Sequence, residues 1–206
     1  MFVINADQRD SRANVDLIPA GIALVEQVAA DRLGIPVQRN AGDELQALTG
    51  DAAAALEVAL ALLRDGRWSV GLGVGAVETP LPPDIRAARG QAFVLARDAV
   101  DRAKGASGRV ALASADPVAA EDAEAYLRLL VDLRDRRSAQ GWEVADLLAK
   151  EGMNQKRIAD RLGITPTAVS LRAKAAGLRL EEAAIPALVR TLAALDHQPG
   201  AATVKD

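Results

Sequence analysis

The sequence predicts a mixed α/β domain of about 115 residues followed by an all-helical segment of about 90. Two observations carry this. Up to Ser114, short apolar runs bounded by turn residues alternate with helical patterns; after Asp116-Pro117 every apolar pattern recurs at helical spacing. The length agrees, because 206 residues set against roughly 150 per domain gives one or two.

Phe2 to Ala6 is an apolar run that reads as a buried strand. Asp16 can cap a helix carrying Leu17, Ile18, Ile22, Leu24, Val25 and Val28, with Pro19 in its first turn and a stop at Gly34. Ile35–Arg39 and Leu45–Leu48 are short strands joined by Asn-Ala-Gly-Asp-Glu, a hairpin turn with Gly42 where positive φ is easiest. Asp51 caps a helix to about Arg64, which Asp65-Gly66 stops. Trp68 to Val77 is a strand with Val70, Leu72 and Val74 on one face and Gly71, Gly73 and Gly75 on the other. Its spacing is not the GxGxxG phosphate fingerprint. Bare glycines on one face predict close backbone approach by a helix or a partner strand. A Pro-rich loop, Thr79 to Pro83, leads to a helix ending near Lys104-Gly105, and Arg109–Ser114 is the last strand. Asp116 and Pro117 then open a helix to about Arg137, and a second runs from Trp142 to Lys150. The domains are 1–116 and 117–206, the second ending in a flexible tail.

Composition excludes several chemistries. Half the chain is apolar, 26% is charged and the net charge is −3. With no Cys and a single histidine, His197, there is no material for thiolate zinc sites, histidine triads or HExxH sites. Metal chemistry would have to use carboxylates. Only Phe2, Trp68, Phe93, Tyr126 and Trp142 are aromatic, too few for a single-strand stacking platform. The opening MFVINADQRD lacks the basic and apolar regions of a signal peptide, and no apolar run approaches the ~18 residues of a membrane span. A cytoplasmic chain with no membrane partner is expected.

The segment from Gln155 to Lys174 is the most legible. Ile158, Ala159 and Leu162 form the inner face of a short helix, and Gly163 makes the turn. Thr165 caps the next helix, Pro166 opens it, Val169, Ala173 and Ala176 face inward, and Gly177 ends it. This is helix-turn-helix spacing. Its outer side presents Thr167, Ser170, Leu171 and Lys174, with Arg172 at the flank. Between Lys150 and Arg179 seven basic residues face two acidic ones, Glu151 and Asp160. Gln155, Lys156, Arg157, Thr165 and these outward side chains are therefore the candidate contacts to double-stranded DNA, cations for phosphates and short polar groups for base edges. The segment resembles the helix-turn-helix of bacterial regulators, including MarR-type ones. No hairpin for a wing follows Gly177, and Glu181–Leu195 reads as a further helix.

Asp7 ends the first strand and Asp43 lies in the hairpin turn. If those strands are neighbours, the carboxylates converge at one edge, an oxygen-only arrangement suited to Mg²⁺ or Mn²⁺. The alternative is structural: Asp7 and Asp10 cap the following turn, and Asp43 and Glu44 occupy a hairpin tip. The strand ending in Asp7, the hairpin Ala41-Gly-Asp-Glu-Leu45 and the strand Val70–Gly75 together resemble the class III nucleotidyl cyclase core and its GGDEF-domain relatives. More narrowly, Ala-Asp7-Gln-Arg-Asp-Ser-Arg12, Gly-Asp43-Glu-Leu-Gln46 and Ala-Phe93-Val-Leu-Ala-Arg97 resemble the SatD family, many of whose members carry a carboxy-terminal helix-turn-helix. The resemblance implies that Asp7 and Asp43 are the metal pair, and that Arg39, Asp43, Glu44 and Arg97 surround a purine nucleotide held with Mg²⁺. It also implies a homodimer. Where cyclases place a transition-state asparagine, this chain has Phe93, which cannot donate to developing charge. The expectation is a DNA-binding transcriptional regulator whose degenerate cyclase-like domain senses a nucleotide or serves for dimerisation. An active nucleotidyl cyclase with a DNA-binding appendage is the alternative.

Overall fold

In the computed structural model, residues 1–11, 15–150 and 153–197 are described. Arg12, Glu151 and the tail beyond His197 lie outside them. The fold is mixed α/β, with a five-stranded sheet and eight α-helices among the described residues. The elements are β1 (Phe2–Gln8), α1 (Ile18–Ala29), β2 (Leu33–Arg39), β3 (Glu44–Thr49), α2 (Ala52–Leu63), β4 (Trp68–Val74), α3 (Gln91–Ala103) and β5 (Val110–Ser114). Helices α4 (Pro117–Asp135), α5 (Ala139–Leu148), α6 (Gln155–Leu162), α7 (Pro166–Ala175) and α8 (Leu178–Asp196) follow. The chain divides into two compact units, Met1–Arg128 with Leu188–Asp206 as the first and Leu129–Ala187 as the second.

In the first unit the sheet order is β2-β3-β1-β4-β5, with β4 and β5 parallel and the other neighbours antiparallel. The β1-α1-β2 and β3-α2-β4 crossovers each skip a strand, which is a split β-α-β connection. Helices α1 and α2 pack together on one face. Gly21 lets α1 settle there, since a Cβ on it would come within 2.8 Å of Leu45 and Trp68 side-chain atoms.

The opposite face holds α3, and the alternating glycines of β4 explain how. A Cβ on Gly71 would lie 2.1 Å from the Val100 nitrogen, and one on Gly73 would lie 2.2 Å from the Ala92 carbonyl oxygen. The helix answers with Ala92, Ala96, Ala99 and Ala103 on its buried side. Small residues on both partners bring backbone against backbone. Of the two causes the sequence allows for the bare face of β4, the structure has the helix.

Helix α1 stops earlier than its apolar pattern suggests. A single 3₁₀ turn occupies 30–32, and Gly34 lies inside β2 instead of ending the helix. Pairing of Leu33 with Thr49 at the sheet edge, and the 2.6 Å hydrogen bond from Thr49 Oγ1 to the Arg32 carbonyl, hold this stretch extended. Tertiary pairing overrides the local pattern. β4 likewise ends at Val74 and not Val77.

Both sheet edges are blocked against further pairing. Pro36 interrupts β2, where an edge proline removes a donor. On β5, the Leu112 N–H donates to Glu124 Oε2 at 2.7 Å, the Leu112 carbonyl accepts from Arg102 at 2.7 Å, and the Val110 carbonyl accepts from Arg128 Nε at 3.2 Å. Glu124, buried, holds both arginines at 3.0 and 2.8 Å.

In the second unit α5, α6 and α7 close around Val144, Leu147, Ile158, Ala159 and Val169. Asn154 caps α6, accepting from the Arg157 N–H at 3.0 Å, and Gly163 ends it at φ 64°. Thr165 caps α7 by accepting from the Ala168 N–H at 3.1 Å, and Pro166 takes the first position. Arg137, with 1% of its side chain exposed, pairs with Glu181, donates to the Ala176 carbonyl at 3.0 Å and lies 4.4 Å from the Trp142 ring centroid.

Candidate functional site

Two places gather polar side chains, one in each unit. The first is a cavity of about 500 Å³ at the end of β1. Asp7 pairs in register with Glu44 of β3 and Ser69 of β4, so the strand ends converge there. The Gln8 N–H donates to the Asp43 carbonyl at 2.9 Å, which ties the hairpin tip to β1. Asp7 and Asp43 both line the cavity, with Gln8, Arg9, Asp10, Ser11, Ser69 and Lys104. The hydroxyl of Ser11 donates to Asp43 Oδ2, and Lys104 Nζ sits 3.0 Å from Asp7 Oδ2.

Burial raises the Asp7 carboxyl above the ordinary aspartate value, which outweighs the hydrogen bond and charge of Lys104; the Asp43 charge adds to the rise. For Lys104, partial burial opposes the charge, but the hydrogen bond and charge of Asp7, helped by Asp101 at 3.3 Å, raise the ammonium overall. The asymmetry follows exposure. Asp7 keeps 14% of its side chain in contact with solvent against 41% for Lys104, so the desolvation cost falls mainly on the carboxylate.

The remaining residues named with this pair stand elsewhere. Arg39 pairs with Asp16 and donates to the Gly42 carbonyl at 2.6 Å. Glu44 accepts from Asn40 Nδ2 at 3.4 Å. Arg97 is exposed on α3, and none of the three lines the cavity. Phe93 packs against the Val3, Ile35 and Leu48 cluster. Lys104, two helical turns beyond Arg97, is the cation that α3 brings to the cavity, where Arg9 also lies. Its signal in the sequence was the bare face of β4, which marks where α3 lies.

A divalent cation held through Asp7 and Asp43 would need open carboxylate oxygens. One Asp7 oxygen is engaged by an ammonium and one Asp43 oxygen by a hydroxyl. Among the described residues no group of three or more His, Asp or Glu side chains could hold a metal. Of the Asp7–Asp43 pair, each carboxylate thus has one oxygen already taken, so a divalent ion would compete with Lys104 and Ser11 for the pair.

The second place is the outer side of α6 and α7. Gln155, Lys156, Arg157, Thr165, Thr167, Ser170, Leu171 and Lys174 are exposed, and Arg172 is half-buried beside Glu143 at 3.3 Å. Three of them, Gln155, Ser170 and Lys174, line a cleft of about 480 Å³ with Ala173, Gly177, Arg179 and Leu180. Arg179 and Arg161 extend the set. Apart from Lys150 and Arg157, the cations of this unit divide into two groups. Arg134 and Arg137 are taken by Glu181, Arg136 by Asp132 and Arg172 by Glu143. Lys156, Arg161, Lys174 and Arg179 have no ion pair among the described residues, and all four are exposed. No helix among the described residues is long and apolar enough to cross a membrane. Comparison of the chain with protein-family models, with curated proteins and with solved structures found no match.

Proposed function

We propose that the protein is a DNA-binding transcriptional regulator, with Leu129–Ala187 as its helix-turn-helix unit and the sheet domain as a sensing or dimerisation module. The observation that carries this reading is the segregation of charge. Carboxylates neutralise Arg134 at the end of α4 and Arg136 and Arg137 just after it, and Glu143 neutralises Arg172 of α7, whereas Lys156, Arg161, Lys174 and Arg179 stay exposed and without an ion pair among the described residues. Four exposed cations around a rigid helix pair suit a phosphate backbone, and Thr167 and Ser170 stand between them with hydroxyls short enough to read base edges. Leu171, also exposed, suits a thymine methyl.

A cyclase-like ancestry of the sheet domain draws support from the Asp7–Asp43 convergence. Turnover draws none: Arg97 does not line the cavity and Phe93, half-buried, packs against the core. A nucleotide effector and a homodimer with two half-site contacts complete the proposal.

The test is duplex binding by the full chain across a salt series. Lys174→Ala and Arg179→Ala are each expected to weaken binding to all sequences and to lower the magnitude of the log–log salt slope by about 1. Thr167→Ala and Ser170→Ala instead change which sequences are preferred. Absence of salt-sensitive duplex binding refutes the proposal.

A further inference from the structure

We propose that Lys104 is the resident cation of the Asp7–Asp43 cavity and that it excludes divalent metal ions from it. The placement of Lys104 follows from packing. Gly71 and Gly73 let the α3 backbone lie directly on β4, and this seating fixes where the last turn of the helix ends. Lys104 caps that turn, where the partial negative charge of a helix C-terminus favours a cation. Its ammonium bridges Asp7 at 3.0 Å and Asp101 at 3.3 Å, so it is held from two sides. Among the described residues the cavity wall carries Asp7, Asp10 and Asp43 against Arg9 and Lys104, a formal charge of −1. Without Lys104 the same wall is −2, and Asp7 loses its neighbouring ammonium. A divalent ion reaching them in the intact protein must displace Lys104 or bind beside it. A ligand that enters with Lys104 in place therefore meets an ammonium at Asp7 instead of a divalent ion, whether or not the helical unit binds DNA.

Mn²⁺ is the probe, with its binding to the full chain followed by electron paramagnetic resonance of the free ion and by melting temperature. The wild type and Lys104→Arg are expected to bind Mn²⁺ only weakly, without saturating over the range that saturates Lys104→Met. Lys104→Met is expected to bind Mn²⁺ roughly thirtyfold more tightly than the wild type, the Coulomb factor in water for removing one charge about 4 Å from a divalent ion. Asp43→Asn in that background is expected to abolish the gain. Wild-type binding as tight as that of Lys104→Met, or no gain in Lys104→Met, overturns the proposal. A further measurement needs no variant: Mn²⁺ added to the wild type should leave the Lys104 side-chain amine resonance sharp in NMR. Its selective paramagnetic broadening would place the ion in the cavity beside Lys104 and refute exclusion.

Discussion

Gly71→Ala tests the contact on which the sheet domain turns. The added Cβ would lie 2.1 Å from the Val100 nitrogen, 2.6 Å from its Cα and 2.7 Å from the Ala96 carbonyl oxygen. All three are backbone atoms, so no rotamer change relieves the clash. To restore ordinary contact, α3 must retreat by roughly 1 Å, which loosens the packing of Ala92, Ala96, Ala99, Val100 and Ala103 together. Overpacking typically costs about 1–3 kcal/mol, and a backbone-only clash belongs at or above the top of that range. For a chain of this size ~3 kcal/mol lowers the melting temperature by ~6–12 °C. Gly105→Ala is the control, because a Cβ there meets nothing within 4 Å, and it should stay within ~0.5 kcal/mol of the wild type. Thermal melts and urea titrations of both variants provide the assay. A Gly71→Ala protein that unfolds at the wild-type midpoint would refute the packing argument, and with it the account of how Lys104 reaches Asp7.

Glu124→Ala should cost about 3 kcal/mol, because it leaves the buried Leu112 N–H without its acceptor and strips Arg102 and Arg128 of their partner. Glu124→Gln keeps an acceptor and should cost less; equal urea midpoints for the two variants would show that the edge cap does not act as described. The acid limb of stability should respond to Asp7 and Asp84 in opposite senses. The Asp7 pKa is raised in the folded state, so the folded protein binds that proton more readily, and this contribution to stability grows as pH falls through the folded value towards 3.8. Asp7→Asn should therefore lose ground to the wild type on acidification, read from urea midpoints over that range. Asp84, held down to about 2 first by the Arg86 side chain and then by its N–H, contributes stability above 3.8 that is lost as pH falls towards about 2. Asp84→Asn should flatten that part of the profile; an unchanged slope would count against the assignment.

Much of this architecture was legible because it is local. Caps and turns depend on residues within four positions of one another. Asp51 accepts from Ala53 and Ala54, Thr165 accepts from Ala168, and Gly42 and Gly163 take positive φ where the chain reverses. The helical pair around Gly163 was readable for the same reason, and its outward side chains are exposed as their spacing implied. The convergence of Asp7 with Asp43 was also within reach, since a strand end and a hairpin tip meet once their strands are neighbours.

What depends on pairing between distant segments could not be read this way. Gly34 looks like a helix stop until β3 pairs with the stretch around it and draws it into a strand. Arg97 fits a motif, yet the cavity receives Lys104, because the depth at which α3 seats on Gly71 and Gly73 sets which turn of the helix meets Asp7. Glu124 looks like one more charge on an amphipathic helix, but it closes the edge of β5. The sequence by itself determined the alternation of strands and helices, the caps and the basic helical pair, because those follow from residues close along the chain. Only the tertiary structure decided which cation faces Asp7 and which carboxylate seals the sheet, because backbone approach and sheet order place those groups together from positions far apart in the chain.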